Sequence, residues 1–143
     1  MGVMLDNIPL ISMLKGRLGY LTEREKLVAQ NVANVDTPGF GPKDLKSFTF
    51  DDHLKKSTTS SGGGNASPEA AAAMAKAGQG IKRTTSFKAI SAPDSEGTLD
   101  GNQVVLEEQM LKMNETRMNY DAAISFYQKA TGMLRLAARP PGR

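Results

Sequence analysis

A chain of 143 residues with 39% hydrophobic and 6% aromatic residues, no tryptophan and no cysteine, has room for one modest domain with a thin core and excludes a disulfide framework. Self-association or a partner is the expected supplement to so little buried surface. Eighteen Lys and Arg against fifteen Asp and Glu give a net charge of +3 without aromatic interleaving or a long basic run, which argues against a nucleic-acid footprint. No stretch approaches the ~20 apolar residues that span a bilayer.

The first residues, Met1-Gly2-Val3-Met4-Leu5-Asp6, lack the basic start, apolar run and small-residue cleavage site of a secretory signal, so if the protein leaves the cytoplasm, a route other than a cleavable signal peptide is expected to carry it. A helix is predicted over 9–35. Ile11, Leu14, Leu18, Leu21, Val28, Val32 and Val35 follow one another in steps of three and four, with Glu25 in the one skipped seam position, which is a heptad seam. Pro9 suits a first helical turn, and Asn7 or Asp6 is placed to cap it. The pattern then runs into Asn31-Val32-Ala33-Asn34-Val35-Asp36-Thr37-Pro38-Gly39-Phe40. The cyclic φ of Pro38 suits the first central position of a turn and Gly39 the positive φ that a type II turn needs next. Asn31 lies beside the seam and Asn34 away from it; their amides either bond to the turn or a neighbouring subunit, or simply cap the helix end.

The middle of the chain has a different composition. Residues 57–68, rich in Ser, Thr and Gly, have almost nothing to bury and read as a flexible or disordered loop. Residues 69–76 are alanine-rich and suit a short helix. Ser47-Phe48-Thr49-Phe50 and the run 84–90 carry the aromatic and β-branched content of short strands that pair across the loop. His53 is the only histidine and, with Asp51 and Asp52 beside it but no cysteine, reads as a loop residue.

A second helix is predicted over 104–138, with Leu106, Met110, Met113, Tyr120, Ile124, Tyr127, Leu134 and Ala138 in the same rhythm. Arg117 and Thr131 take polar seam slots, and Ala123, Ala130 and Ala137 form a small-residue row beside the seam that lets another helix approach closely. Asp100 or Asn102 is placed to cap it, and Glu107 and Glu108 lie where the helix dipole favours negative charge. Met110, Met113, Met118 and Met133 read as core filling or an adaptable face. Whether Glu25 and Arg117 pair, and whether the two helices touch, is left open by the seams.

No phosphate-binding loop, nucleophile elbow or metal-binding helix motif occurs. Glu107 and Glu108 point about 100° apart on a helix and cannot share a substrate. Catalytic, cofactor-binding and metal-ligating residues are therefore expected to be absent, and the chain is expected not to be an enzyme.

The residues 31–40 resemble the N-terminal signature of the axial proteins of the bacterial flagellum, those of its rod and hook. Leu99-Asp100-Gly101-Asn102-Gln103-Val104-Val105-Leu106-Glu107-Glu108-Gln109-Met110, with Tyr120 downstream, is similar to the C-terminal region of the proximal-rod members of that family. The chain departs from them at Val105, where an acidic residue is more usual, and in the tail Arg139-Pro140-Pro141-Gly142-Arg143. The resemblance implies a mainly α fold: two long terminal helices with heptad seams form a coiled-coil-like inner domain around a small irregular middle with short strands and a flexible loop. It divides the chain into an assembly helix over 1–38, a variable middle over 39–98, and a second assembly helix with a basic tail over 99–143.

It further implies a torque-transmitting structural subunit of the periplasmic rod, delivered by type III export and involved in motility. The implied partners are the chain itself and the other rod proteins, with the FliE adaptor, the export gate and the MS ring at the base; nucleic acid and membrane insertion are not expected. On this reading Leu14, Leu18, Leu21, Val28, Val32, Met113, Tyr120, Ile124 and Tyr127 are subunit-interface residues. Asn31, Asn34, Asp36, Thr37, Pro38, Gly39 and Phe40 form the signature turn. Asp100, Gly101, Asn102, Leu106, Glu107 and Met110 form the C-terminal motif. The seams would stay partly disordered until neighbouring subunits cover them. The rival reading is a soluble helical adaptor or secretion chaperone whose helices form a hairpin.

Overall fold

The structure, a computed structural model, describes residues 8–49, 51–52 and 87–142. In chain order it has helix α1 (Pro9–Ala33), strand β1 (Lys43–Leu45), strand β2 (Ala89–Ser91) and helix α2 (Leu106–Ala137). The fold is mainly α, with two long helices and one small two-stranded sheet.

Helix α1 begins where Pro9 stands at its first position, a place where a missing N–H costs no hydrogen bond and φ is already helical. Its N-cap is Ile8, without a side-chain cap bond; Asn7 and Asp6, the expected caps, lie outside the described residues. The helix ends at Ala33, two residues before the predicted limit, because Asn34 leaves the helical region at φ −105°, ψ 18°.

The helices run antiparallel and touch along their length. Asn31 near the end of α1 bonds Gln109 near the start of α2, at 2.9 Å. Midway, the Arg117 guanidinium meets the Glu25 carboxylate at 3.2 Å, so the two charged seam residues are partners. At the far end Ile11 and Leu14 face Phe126 and Met133 across a groove. Ile11, Leu14, Leu21 and Val28 of the predicted α1 seam are buried. The α1 seam is therefore covered by α2 within one chain.

On α2 the buried line differs from the expected one. It runs through Gln109, Thr116 and Ala123 at seven-residue spacing, with half-buried Met113, Tyr120, Tyr127 and Leu134 interleaved. Leu106 and Met110, placed in the seam by hydrophobicity, are 38% and 54% exposed. Short side chains such as Ala123 and Thr116 allow the close approach that the alanine row beside the seam had suggested, and Thr116 hides its hydroxyl on the Lys112 carbonyl at 2.7 Å.

The sheet lies over the middle of the hairpin. Lys43, Asp44 and Leu45 pair antiparallel with Ser91, Ile90 and Ala89, and the ladder is prolonged by Lys46 N–H on the Lys88 carbonyl at 3.1 Å and Ala92 N–H on the Pro42 carbonyl at 3.0 Å. The second strand overlaps the predicted run only at 89–90 and extends one residue past it, whereas the first lies ahead of 47–50. Phe48 serves instead as a packing group: its ring centroid is 5.6 Å from Tyr20, whose other side takes the edge of Phe87 at 5.5 Å. Tyr20, Leu21, Leu45 and Ala123 form the buried cluster, flanked by Leu18, Leu27, Tyr120 and the two phenylalanines. β1 is held to α1 by Arg24, which grips the Asp44 carboxylate through two bonds of 3.0 and 3.2 Å. His53, the loop 57–68 and the alanine run 69–76 lie outside the described residues.

Candidate functional site

The decapeptide ending α1 folds as its residues dictate. Phe40 N–H donates to the Thr37 carbonyl at 3.3 Å, with Pro38 and Gly39 at the central positions and Gly39 at φ +72°, as a type II turn requires. The Asn34 amide donates to the Gln30 carbonyl at 2.7 Å and its oxygen accepts from the Thr37 hydroxyl at 3.1 Å, which is the capping role. A second tight loop precedes α2: Thr98 N–H donates to the Asn102 carbonyl at 2.8 Å and Gly101 N–H to the Thr98 carbonyl at 3.0 Å. Gly101 takes φ +83°, the left-handed position that closes a three-residue loop.

These two turns interlock. Gly39 N–H donates to the Asp100 carbonyl at 3.1 Å and Gln103 N–H to the Phe40 carbonyl at 3.0 Å. A Cβ on Gly101 would stand 3.4 Å from the Gly39 Cα, so the glycines also let the backbones approach. Asn102, 2% exposed, is the pin. Its Nδ2 donates to the carbonyls of Asn34 at 3.0 Å and Thr37 at 2.6 Å, while its Oδ1 accepts Val104 N–H at 2.8 Å. Expected as a helix cap, Asn102 instead ties the end of α1 to the approach of α2.

Below the joint runs a buried polar relay. Asn31, 2% exposed, imitates a strand partner: its Nδ2 donates to the Lys43 carbonyl at 2.8 Å and its Oδ1 accepts Lys43 N–H at 3.1 Å. Its second amide hydrogen goes to Gln109 Oε1, and Gln109 Nε2 donates to both oxygens of Asp94 at 3.0 and 2.8 Å. The Asp94 side chain, 0% exposed, also receives Lys112 Nζ at 2.8 Å and the N-cap N–H of Val105 at 2.9 Å. Burial alone pushes its carboxyl up, but the bonds from Gln109, Lys112 and Val105 outweigh that and hold it below its ordinary value. The cap of α2 thus comes from Asp94, outside the local sequence. Every polar atom here is matched donor to acceptor and engaged, so the arrangement fixes geometry and offers no free base or nucleophile.

The remaining predicted residues fall into two groups. Leu14, Leu21 and Val28 are buried and Leu18, Val32, Met113, Tyr120, Ile124 and Tyr127 half-buried within the one chain. Asp36, Thr37, Pro38 and Gly39 form an exposed rim with Phe40 half-buried, and Asp100, Gly101, Leu106, Glu107 and Met110 are exposed. Hydrophobic spacing missed Asp94, Gln109 and Thr116. The one available signal was their phase, since Gln109, Thr116, Ala123 and Ala130 recur every seven residues beside the apolar line. Among the described residues no cluster of His, Asp or Glu is placed to hold a metal, and no helix is long and apolar enough to cross a membrane.

Apolar surface remains at the open end of the hairpin, in a groove of about 540 Å³ lined by Leu10, Ile11, Leu14, Phe126, Met133 and Leu134 among others. In comparisons with protein-family models and with curated proteins, the chain matches none.

Gly39 offers a direct test of the turn. No atom lies within 4 Å of a Cβ built there, so Gly39→Val meets only the backbone penalty of a β-branched residue at positive φ, about 1–2 kcal/mol. Gly39→Asn, which tolerates that region, is expected to cost less than half as much in a denaturant melt. Equal stability of Val and Asn variants would reject the turn assignment.

Proposed function

We propose that this chain is a non-catalytic structural subunit of the bacterial flagellar rod, a proximal-rod protein of the FlgB type. The observation that supports the reading is the joint. The two segments on which the resemblance rests, 31–40 and 99–110, lie far apart in sequence, yet Asn102 and four backbone groups build one connection from them. A segment that only formed a local turn would need no such match. On this reading the joint sets the angle at which the chain leaves the paired helices, and the exposed apolar residues of α2 meet neighbouring subunits. The partners are other rod proteins and copies of the chain, with the FliE adaptor, export gate and MS ring at the base, and delivery is by type III export into the periplasmic rod. The reading stands on the motifs and the joint, without a matching family model.

The rival reading, a helical adaptor or secretion chaperone, is favoured by one observation: α2 covers the α1 seam within a single chain. A folded hairpin suits both roles, so helix content does not separate them, but location does. Cryo-microscopy of basal bodies carrying a labelled copy of this chain is expected to show the label at the base of the rod, and deletion of the gene to abolish rod assembly and motility. Unlabelled basal bodies with a normal rod, and the chain recovered with a cytoplasmic export substrate, would favour the adaptor.

A further inference from the structure

The exposed flank of α2 carries a second stripe, which reaches the rim of the groove that Phe126, Lys129 and Met133 share with α1. Successive helical residues turn by about 100°, which places Leu111, Glu115, Met118, Ala122, Phe126, Lys129 and Met133 near one line, about 100–140° around the helix from the buried line of Gln109, Thr116 and Ala123. Leu111, Met118, Phe126 and Met133 are 70%, 73%, 63% and 58% exposed, and Ala122 and Lys129 are exposed as well. Scattered apolar residues on a surface need no explanation. This set is ordered in a way that scattered residues are not.

Its spacing is a palindrome. Counted from Ala122, the members stand four, seven and eleven residues away in each direction: Met118 and Phe126, Glu115 and Lys129, Leu111 and Met133. The chemistry is palindromic too, apolar matching apolar at four and eleven, while at seven the signs are opposite. A helix packed antiparallel on a copy of itself, with the twofold axis at Ala122, sets each residue against its mirror position. Met118 then meets the partner's Phe126, Leu111 the partner's Met133, and Glu115 the partner's Lys129, each contact occurring twice. Ala122, the smallest member, sits where the helices come closest. Isologous twofold interfaces demand this self-complementarity, and a parallel pairing would set Glu115 against Glu115 and Lys129 against Lys129.

Lys129 makes no ion pair among the described residues, and Glu115, with its side chain 59% exposed, has one long ion pair within the chain, to Arg24 at 3.9 Å. We propose that α2 pairs antiparallel with α2 of a second copy of this chain through the Leu111 to Met133 face, centred on Ala122. The inference does not rest on the rod reading, and it claims for a second copy the exposed α2 residues that the rod reading gives to neighbouring subunits.

The test is sedimentation velocity of the full chain from about 1 µM to several hundred micromolar, where a reversible monomer–dimer equilibrium is expected. Glu115→Lys and Lys129→Glu each create two like-charge contacts and are expected to raise the Kd by at least about tenfold at low salt. The double variant, Glu115→Lys with Lys129→Glu, restores it to within about threefold. Circular dichroism on each variant checks that the exposed substitutions leave the helices intact. Because the chain has no cysteine, Ala122→Cys on the axis is expected to crosslink dimers under mild oxidation and Gln128→Cys, off the stripe, not to. A monomer at every concentration, a dimer indifferent to the charge variants, a double variant without recovery, or equal crosslinking at 122 and 128 would each overturn the proposal, the last three pointing to another occupant or another face.

Discussion

Asn102→Ala is expected to lower stability by about 3 kcal/mol, and with it the melting temperature by roughly 10 °C. The wild-type amide is 2% exposed and makes three bonds, none of which alanine replaces. The Asn34 and Thr37 carbonyls keep one donor each, Thr37 N–H at 3.1 Å and Phe40 N–H at 3.3 Å. Val104 N–H, on a residue 7% exposed, loses the Oδ1 acceptor it has in the intact protein. A buried unpaired donor is the larger part of the cost. Asn102→Asp keeps that acceptor but points a carboxylate at two carbonyl oxygens, so at neutral pH it is expected to be at least as harmful. The readout is a thermal melt combined with amide exchange at Gly39 and Gln103, the donors of the two backbone bonds across the joint. A drop below 1 kcal/mol with unchanged exchange would mean that the joint holds without its pin.

Asp94→Ala is expected to cost about 3–5 kcal/mol, because it strands the Lys112 ammonium, the Gln109 amide and the Val105 N–H beside a void. Asp94→Asn keeps the shape and one acceptor and is expected to cost less. The pH dependence separates lost charge from lost packing. The folded carboxyl titrates below its ordinary value, so its contribution is full above the unfolded value near 3.9 and is lost as the pH falls through the folded value. The stability gap between wild type and Asp94→Asn is therefore expected to be widest from about pH 5 upward and to narrow steadily below pH 4. A gap constant from pH 7 to pH 2.5 would assign the effect to packing alone.

Local chemistry made much of this fold legible in advance. Pro9, the three-four rhythm and the Pro38-Gly39 pair place α1 and its turn to within two residues, because each acts on its own stretch of backbone. The same rhythm locates α2 while misjudging which line on it is buried. Hydrophobic spacing ranks Met110 above Gln109, yet Gln109 is the buried one, since Asn31 and Asp94 supply its hydrogen bonds from 78 and 15 residues away. No local pattern announces such partners. Asp94 is the clearest instance: in sequence it is an acid in a Pro-Asp-Ser loop, and only the fold brings a helix N-terminus, an amide and an ammonium to it. The strand shift has the same origin, as Asn31 and Arg24 fasten 43–44 to α1 and leave Phe48 to pack.

The short ladder has a consequence for architecture. Lys46 N–H on the Lys88 carbonyl pins the exit and re-entry points of the intervening chain one strand spacing apart, about 5 Å. Whatever is spliced between them is anchored at a single gate, and doubling its length adds only about 0.6 kcal/mol of closure entropy. The hairpin is thereby insulated from the size of its own insert. That insertion point is a natural port at which a foreign domain can be housed without re-engineering the helices.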